Sequence, residues 1–555
     1  MDIKEMTVKR AGLKLDLFRK VIFLLIVTVI VVFVMQLQSS VLIKPDIEAP
    51  SPHLQSESSK DIDPLPYSRY NRFGMEWITI VDELNWQQRH GYAENKNTET
   101  PFDIGNGSLG LTSTMTTRVM LHNTNVQKGE FVHVVIEARD KNNRRRNRGG
   151  DFFMAVMQNT KLGKSTAGRV IDYANGTYSV YFYAAWAGKA EVTVQLAFTR
   201  EIINFIRQVV KTKEKLQGIA GNFTDGVTTE SSNCSMISEG LWSDKCEYMN
   251  ANSMGKTVLV CDRPSTLECS QLNIIGRSVQ QMNKITADQM QGAADLFESI
   301  SQMAWLPATP VLIQDAEVYP RPLQQCGSDI PVPLSDGYWE TRELFIPLVC
   351  HSKQWSKEEV HRCLSDKTII ASGDSTVKQI VRLMRYEHAY NMRFHFMAPR
   401  AGQIDETVPE FVFESDLIDN ITYNECQSKV PIVMLNFGFH YGMWSTQSYI
   451  ERLFRAKLAV ERLLKRCPNS KVMIKLSHPR EHVFREQSIH SSNWVFFDQN
   501  RIIRYVFAGI GVLFLDIWDM VLSSFETNTV HMPPVVISQE IHLMLSYICP
   551  EMVGA

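Results

Sequence analysis

The chain has 555 residues, 44% of them hydrophobic and 21% charged, with a formal net charge of −2. That is apolar material for about three domains. The near-neutral balance excludes bulk nucleic-acid binding, which draws on a basic excess.

Residues 1–20 hold Lys4, Lys9, Arg10, Lys14, Arg19 and Lys20, and Val21 to Leu37 that follow are uncharged and almost wholly apolar. As a helix this run spans about 25 Å, enough to cross a bilayer. The basic flank predicts a cytosolic tail (1–20) and a transmembrane signal anchor (21–37) with the bulk of the chain lumenal. A cleaved signal peptide is the other reading and would release a secreted form, but the run exceeds a usual signal core and no A-x-A-like site follows. All ten cysteines, Cys234 to Cys549, lie beyond this run, and so do sequons beginning at Asn106, Asn175, Asn222, Asn233 and Asn420. Both features fit an oxidising, glycosylating compartment. No C-x-x-C pair or His/Cys ligand spacing occurs, so no metal site is expected.

Residues 38–74 are rich in Ser, Pro and Asp and read as a stem. Residues 75–230 are assigned to a β-sandwich. Val132, Val134, Ile136 and Ala138 alternate with His133, Val135, Glu137 and Arg139, and Val192, Val194, Leu196 and Phe198 with Thr193, Gln195 and Ala197, the period of half-buried strands. Asn175-Gly176 joins two such runs as a hairpin, with Tyr178, Val180 and Phe182 on one face of the return strand. The loop Lys141 to Arg148, KNNRRRNR, is the concentrated basic patch: a solvated loop, or a contact for an acidic glycan or partner protein. Residues 231–330 read as a connector stapled through Cys234, Cys246, Cys261 and Cys269, whose pairing sequence leaves open.

From 331 to 555 strands alternate with helices. Short apolar runs at Ile432 to Leu435, Val472 to Leu476 and Val512 to Leu515 alternate with helical faces within Ser445 to Arg466 and Ile502 to Phe507. That order predicts a mainly parallel three-layer α/β domain, with ligands at the carboxyl ends of its strands. Cys350 and Cys363, close together ahead of the next strand, are read as a disulfide pair.

The segment KTIIASGDSTVK, Lys367 to Lys378, reads as strand, tight turn and helix. Ser375 then stands at a helix N-terminus, where backbone N–H groups can stabilise an oxyanion and a serine can act as nucleophile; an ordinary helix cap is the plainer reading. Asn436 to His440 and Asp516 to Asp519 also follow strands, so all three segments are candidates for one crevice.

The motifs gather into a resemblance. EARDKNN, GGDFF and WAGKAEVTVQL resemble filamin-type repeats and, more closely, the neurexophilin domain. GYWETRELFIPLVC, the strand with GDST, Gly438-x-His440 and TNTVHMPP resemble the PC-esterase branch of the SGNH hydrolases. With the signal anchor, the chain resembles the neurexophilin-and-PC-esterase family over nearly its full length. The resemblance implies an immunoglobulin-like sandwich followed by an SGNH-type domain. It makes Ser375 the nucleophile and His531 the general base, with Gly373, Asp374, Asn436, Gly438 and His440 around the oxyanion and substrate. Asn528 stands where the wider SGNH pattern has the aspartate of Asp-x-x-His, and His440 where it has the Asn of Gly-x-Asn. Asp516 or Asp519 could replace the missing acid, or a Ser-His dyad could suffice. Relatives of this kind are mostly secretory-pathway glycan O-acetyltransferases, which implies a Golgi-type membrane location and no bound cofactor. It also implies acetyl-CoA as candidate donor and a glycan or glycoprotein acceptor, sialic acid first. The alternatives are a glycoprotein ligand or adhesion module binding a protein partner through the sandwich, and a carbohydrate acetyl esterase.

Overall fold

The computed structural model describes residues 110–211, 219–235, 242–249, 258–277, 296, 305–318, 323–328, 330, 333–387, 392–396, 406–407, 414–442, 444–481, 487–526 and 529–554. The tail, anchor, stem and Asn106 sequon lie outside them, as does Asn528. Among the described residues no helix is long and apolar enough to cross a membrane. The protein is multidomain, with a sheet-rich N-terminal half and a helix-and-sheet C-terminal half.

Two sheets share one core in the N-terminal half. The four-stranded sheet runs in the order Arg118–Leu121, Phe131–Glu137, Thr177–Tyr183, Arg169–Asp172. In its register Val132 faces Phe182, Val134 faces Val180 and Ile136 faces Tyr178. All six side chains are fully buried, and they meet Phe153, Ala155, Met157, Val192 and Val194 of the second sheet. This is the period-two pattern of the sequence in its physical form. The Asn175-Gly176 hairpin forms with Gly176 at φ 79°, in the left-handed region.

The second sheet is larger than the alternation suggested. Phe152–Asn159 and Gly188–Phe198 are extended on one side by Thr309–Gln314 and on the other by Lys164–Ala167, Gly337–Trp339 and Phe345–Pro347. The GYWETRELFIP segment, assigned by sequence to the α/β domain, therefore completes a sheet of the N-terminal half. Trp339 is buried there, and its indole N–H donates to the Met520 carbonyl at 2.9 Å across to the other half. The basic loop is largely exposed at Lys141, Arg144 and Arg145, and only Arg146 is buried. Asp140 accepts from Asn142 N and Arg144 N, each at 2.9 Å, Arg145 donates to Thr177 Oγ1 at 2.7 Å, and Arg146 is buried against Glu201.

Much of the expected connector is itself a sheet. Lys245–Met249, Val258–Asp262, Thr229–Ser235, Ile219–Thr224 and Leu272–Arg277 lie side by side, with Glu406–Thr407 at the far edge. Disulfides Cys234–Cys261 and Cys246–Cys269 staple neighbouring parts of it. The expected Cys350–Cys363 bond does not form. Cys350 pairs with Cys326, and Cys363, at the end of the helix Lys357–Leu364, pairs with Cys549. Nearness in sequence misled here, because that helix packs on the C-terminal helix Pro534–Ile548.

The C-terminal half is built on a five-stranded parallel sheet in the order Arg393–Phe396, Lys367–Gly373, Val430–Asn436, Lys471–Lys475, Leu513–Leu515. Both faces are covered, as all-parallel sheets require. Ile369, Ala371, Ile432 and Met434 pack with the helices Lys357–Leu364, Ser375–Glu387 and Pro534–Ile548, while Ile370, Val433 and Leu435 pack with Thr446–Arg466 and Asn493–Val506.

Candidate active site

In that strand order the first and third strands of the sheet are neighbours, and successive connections run in opposite directions from them. Such a reversal opens a crevice at the carboxyl ends of the two strands. Lys367–Gly373 ends there in Asp374-Ser375, and Val430–Asn436 ends there in Phe437-Gly438-Phe439.

The turn is shaped by contact rather than by an unusual backbone angle. A Cβ on Gly373 would lie 2.7 Å from Val377 Cγ2 and 3.1 Å from Asn436 Cβ, so glycine is needed for the close approach of strand, helix and neighbouring strand. Asp374 is fully buried and acts as the tie. Its Oδ1 accepts from Thr376 N at 2.9 Å and Thr376 Oγ1 at 2.7 Å, and its Oδ2 accepts from Phe439 N at 3.2 Å. Asn436 is also fully buried, donating to the Lys475 carbonyl at 3.0 Å and accepting from Gly438 N at 3.3 Å. These two residues join three strand ends into one floor. Gly438 is buried against Ser477, and His440 lies half-buried in the turn Phe439–Tyr441.

Ser375 is the first residue of the helix Ser375–Glu387. Its Oγ lies 2.7 Å from His531 Nε2. Two residues 156 positions apart in the chain thus meet within hydrogen-bond reach. The N–H groups of a first helical turn have no intrahelical acceptor, so that of Ser375 is available to an oxyanion. The N–H of Gly438 and the Asn436 amide, expected beside it, are occupied in holding the floor together.

The other candidates lie elsewhere. Asp516 accepts from Trp518 N, at the start of the helix Trp518–Leu522, at 3.0 Å, and it pairs with Arg504 at 2.7 Å. Asp519 is buried, accepts from Asp336 N at 3.1 Å and lies 3.7 Å from the Arg169 guanidinium, which also pairs with Asp336 at 2.9 Å. Burial raises the Asp336 and Asp519 carboxyls, with Arg169 opposing the rise. Among the described residues no carboxylate is hydrogen-bonded to His531. Asn175, Asn233 and Asn420 are exposed, while Asn222 is half-buried in its strand.

Sequence reasoning passed over the residues beneath and beside the dyad. Lys475 and Glu540, both fully buried, pair at 2.6 Å under the floor. Burial pushes the Glu540 carboxyl upward, and Lys475 opposes this. His478 is fully buried, with Nε2 3.2 Å from the Val530 carbonyl and its ring against Phe439 at 4.9 Å between centroids. Burial, then Lys475 and Arg480, drive its pKa well below the ordinary value, so it is neutral. Gln379 reaches Met532 with both ends of its amide. Gln379 was legible, standing one helical turn after Ser375 on the same face; His478 carried no local signal.

Two family models match the chain. That described as Neurexophilin covers residues 107–299, and that described as NXPE family member 4-like, C-terminal domain, covers residues 382–549. The chain belongs to the NXPE family. The C-terminal match takes in His531, the 436–440 segment and both aspartates, and it begins just past Ser375, inside the Ser375 helix. The NXPE chain thus pairs a neurexophilin-type region with a C-terminal region containing the candidate site apart from the Gly373–Thr376 turn and Gln379.

Proposed function

We propose that this NXPE protein is an O-acyltransferase that moves an acetyl group to a glycan hydroxyl through Ser375. The observation that carries the reading is the 2.7 Å approach of Ser375 Oγ to His531 Nε2 at the switch point of a parallel sheet. The resemblance to PC-esterase and SGNH domains supports the same roles, and the facing sheets of the N-terminal half suit an immunoglobulin-like module.

In the first half-reaction His531 takes the Ser375 hydroxyl proton as Oγ attacks the acetyl carbonyl carbon. The Oγ–C bond forms, the tetrahedral oxyanion turns toward the Ser375 N–H, and the bond to the donor breaks as the leaving group takes the proton from His531. With acetyl-CoA as donor the bond broken is C–S. In the second half-reaction a glycan hydroxyl, sialic acid being the leading candidate, gives its proton to His531 and attacks the acyl carbon. Ser375 leaves and recovers the proton. Water in place of the sugar would make the protein an acetyl esterase. Asp374 and Asn436 tie the turn through hydrogen bonds, above the buried Lys475–Glu540 pair, without entering these steps. The signal-anchor reading places the reaction in the Golgi or another secretory-pathway lumen.

The test is acetyl transfer to cell-surface glycans in cells expressing only Ser375→Ala or His531→Ala. Each should abolish transfer while glycosylation and transport persist, and the two losses should not add, because members of a catalytic unit fail together. Wild-type O-acetylation with Ser375→Ala alone would remove the enzyme reading. A binding role, with the sandwich engaging a protein partner, would then stand. It draws its support from Asn528, which stands where the wider SGNH pattern has an aspartate.

A further inference from the structure

We propose that His531 is held on Ser375 through its backbone, by a clamp of two side chains, Gln379 and His478. The inference rests on the acyl-enzyme reading above and adds two positioning residues to it.

The His531 side chain is exposed, and its ring's hydrogen bond is to Ser375. An exposed imidazole with two free torsions is placed only as well as the peptide units on either side of its Cα. Both of those units are pinned. The Val530 carbonyl, which belongs to the peptide before His531, accepts from His478 Nε2 at 3.2 Å. The Met532 N–H, which belongs to the peptide after it, donates to Gln379 Oε1 at 3.3 Å, and Gln379 Nε2 returns a bond to the Met532 carbonyl at 3.0 Å. The His531 carbonyl is held in turn by Thr529 Oγ1.

The clamp ties the base to the nucleophile by two routes. Gln379 is on the same helix as Ser375, one turn further along, so the segment carrying His531 is fixed to the element that carries Oγ. His478 packs on Phe439, whose N–H is bound to Asp374, the residue before Ser375. His478 suits this task because it is neutral and buried. A carbonyl partner requires the proton on Nε2, and a charged imidazolium there would face Lys475.

The test measures how fast a fluorophosphonate probe labels Ser375 in the full-length protein in detergent. In that reaction Oγ attacks phosphorus, fluoride leaves, and His531 takes the hydroxyl proton, so the rate reports the dyad without needing the natural donor. Gln379→Ala and His478→Leu should each slow labelling about 10-fold, and the double variant about 100-fold, the scale of loss for a misplacement near 1 Å. His478→Gln, whose amide can still donate to Val530, should recover most of the rate. Urea unfolding of each variant separates lost alignment from lost stability, and Gln379→Ala, at a half-buried helix position, serves if His478→Leu fails to fold. Wild-type rates in the folded double variant, or equal loss with His478→Gln and His478→Leu, would overturn the clamp alone. No labelling of the wild-type protein at Ser375 would overturn the acyl-enzyme reading and the clamp with it.

Discussion

The Gly373–Ser375 turn and the Asp516–Asp519 segment begin alike. Each leaves the carboxyl end of a strand in the same parallel sheet, each opens a helix, and each offers side chains suited to catalysis. Their neighbours differ. The turn lies between the first and third strands, where the crevice opens and Asn436 and Phe439 close around it. The aspartates follow the edge strand Leu513–Leu515, and the N-terminal half covers that side through Arg169 of its four-stranded sheet and, from the larger sheet, Trp339 and the Ser165 hydroxyl bonded to the Ser523 carbonyl. Asp519 beside the covered edge is bound to Asp336 and faces Arg169, whereas Ser375 beside the open crevice meets His531.

The largest expected difference is in turnover. Ser375→Ala should cost at least ~10³ in acetyl transfer, while Asp516→Asn and Asp519→Asn, measured on folded protein, should stay within about threefold. A loss of ~10³ or more in either asparagine variant would make that aspartate the orienting acid and break the comparison.

The next difference is in stability and runs the other way. Arg169→Ala leaves the buried carboxylates of Asp336 and Asp519 without their cation, a change worth about 3 kcal/mol in urea unfolding. Ser375→Ala, at a half-buried site, should move it by less than about 0.5 kcal/mol. Equal stability of the Arg169→Ala and parent proteins would mean that the two halves dock without this cluster.

The smallest effect sharpens the contrast by pH. Lys211, at the end of the helical segment that follows the N-terminal sheets, is buried with its ammonium on the Gly442 and Trp444 carbonyls, close to His490. Burial, assisted by Lys211, lowers His490 to about 3 from the ordinary 6.5. Between those values the unfolded chain binds a proton that the folded chain refuses, so stability falls as pH falls, by at most ~1.4 kcal/mol per unit. His490→Gln should flatten the unfolding free energy between pH 6.5 and 5 relative to the parent. Parallel curves would place a charged His490 in the folded protein.

What could be read from sequence follows from what is local. Alternation gave the strands around Val134 and Val180, and the run Ile369 to Ala371 followed by helical spacing gave the Ser375 turn, because both depend on residues near in the chain. Partners across the chain could not be read. Cys363 lies near Cys350 in sequence and pairs with Cys549, and the GYW segment looked like the start of one domain but hydrogen-bonds into another. Asp519 looked catalytic because nothing local shows that Arg169 will reach it. The disposition of Ser375 and His531 was legible only through several motifs in fixed order, which is how a resemblance carries long-range information that composition lacks.

The long separation of Ser375 and His531 has a consequence for biosynthesis. The serine turn leaves the ribosome 156 residues before His531, an interval of about 8 to 30 seconds at ordinary elongation rates. During that time the strand and helix around Ser375 lack the C-terminal helix that buries one of their faces and the loop that delivers the imidazole. A nascent chain therefore lacks the Ser375–His531 contact until its C-terminal segment, which also carries Cys549 to Cys363, has been made.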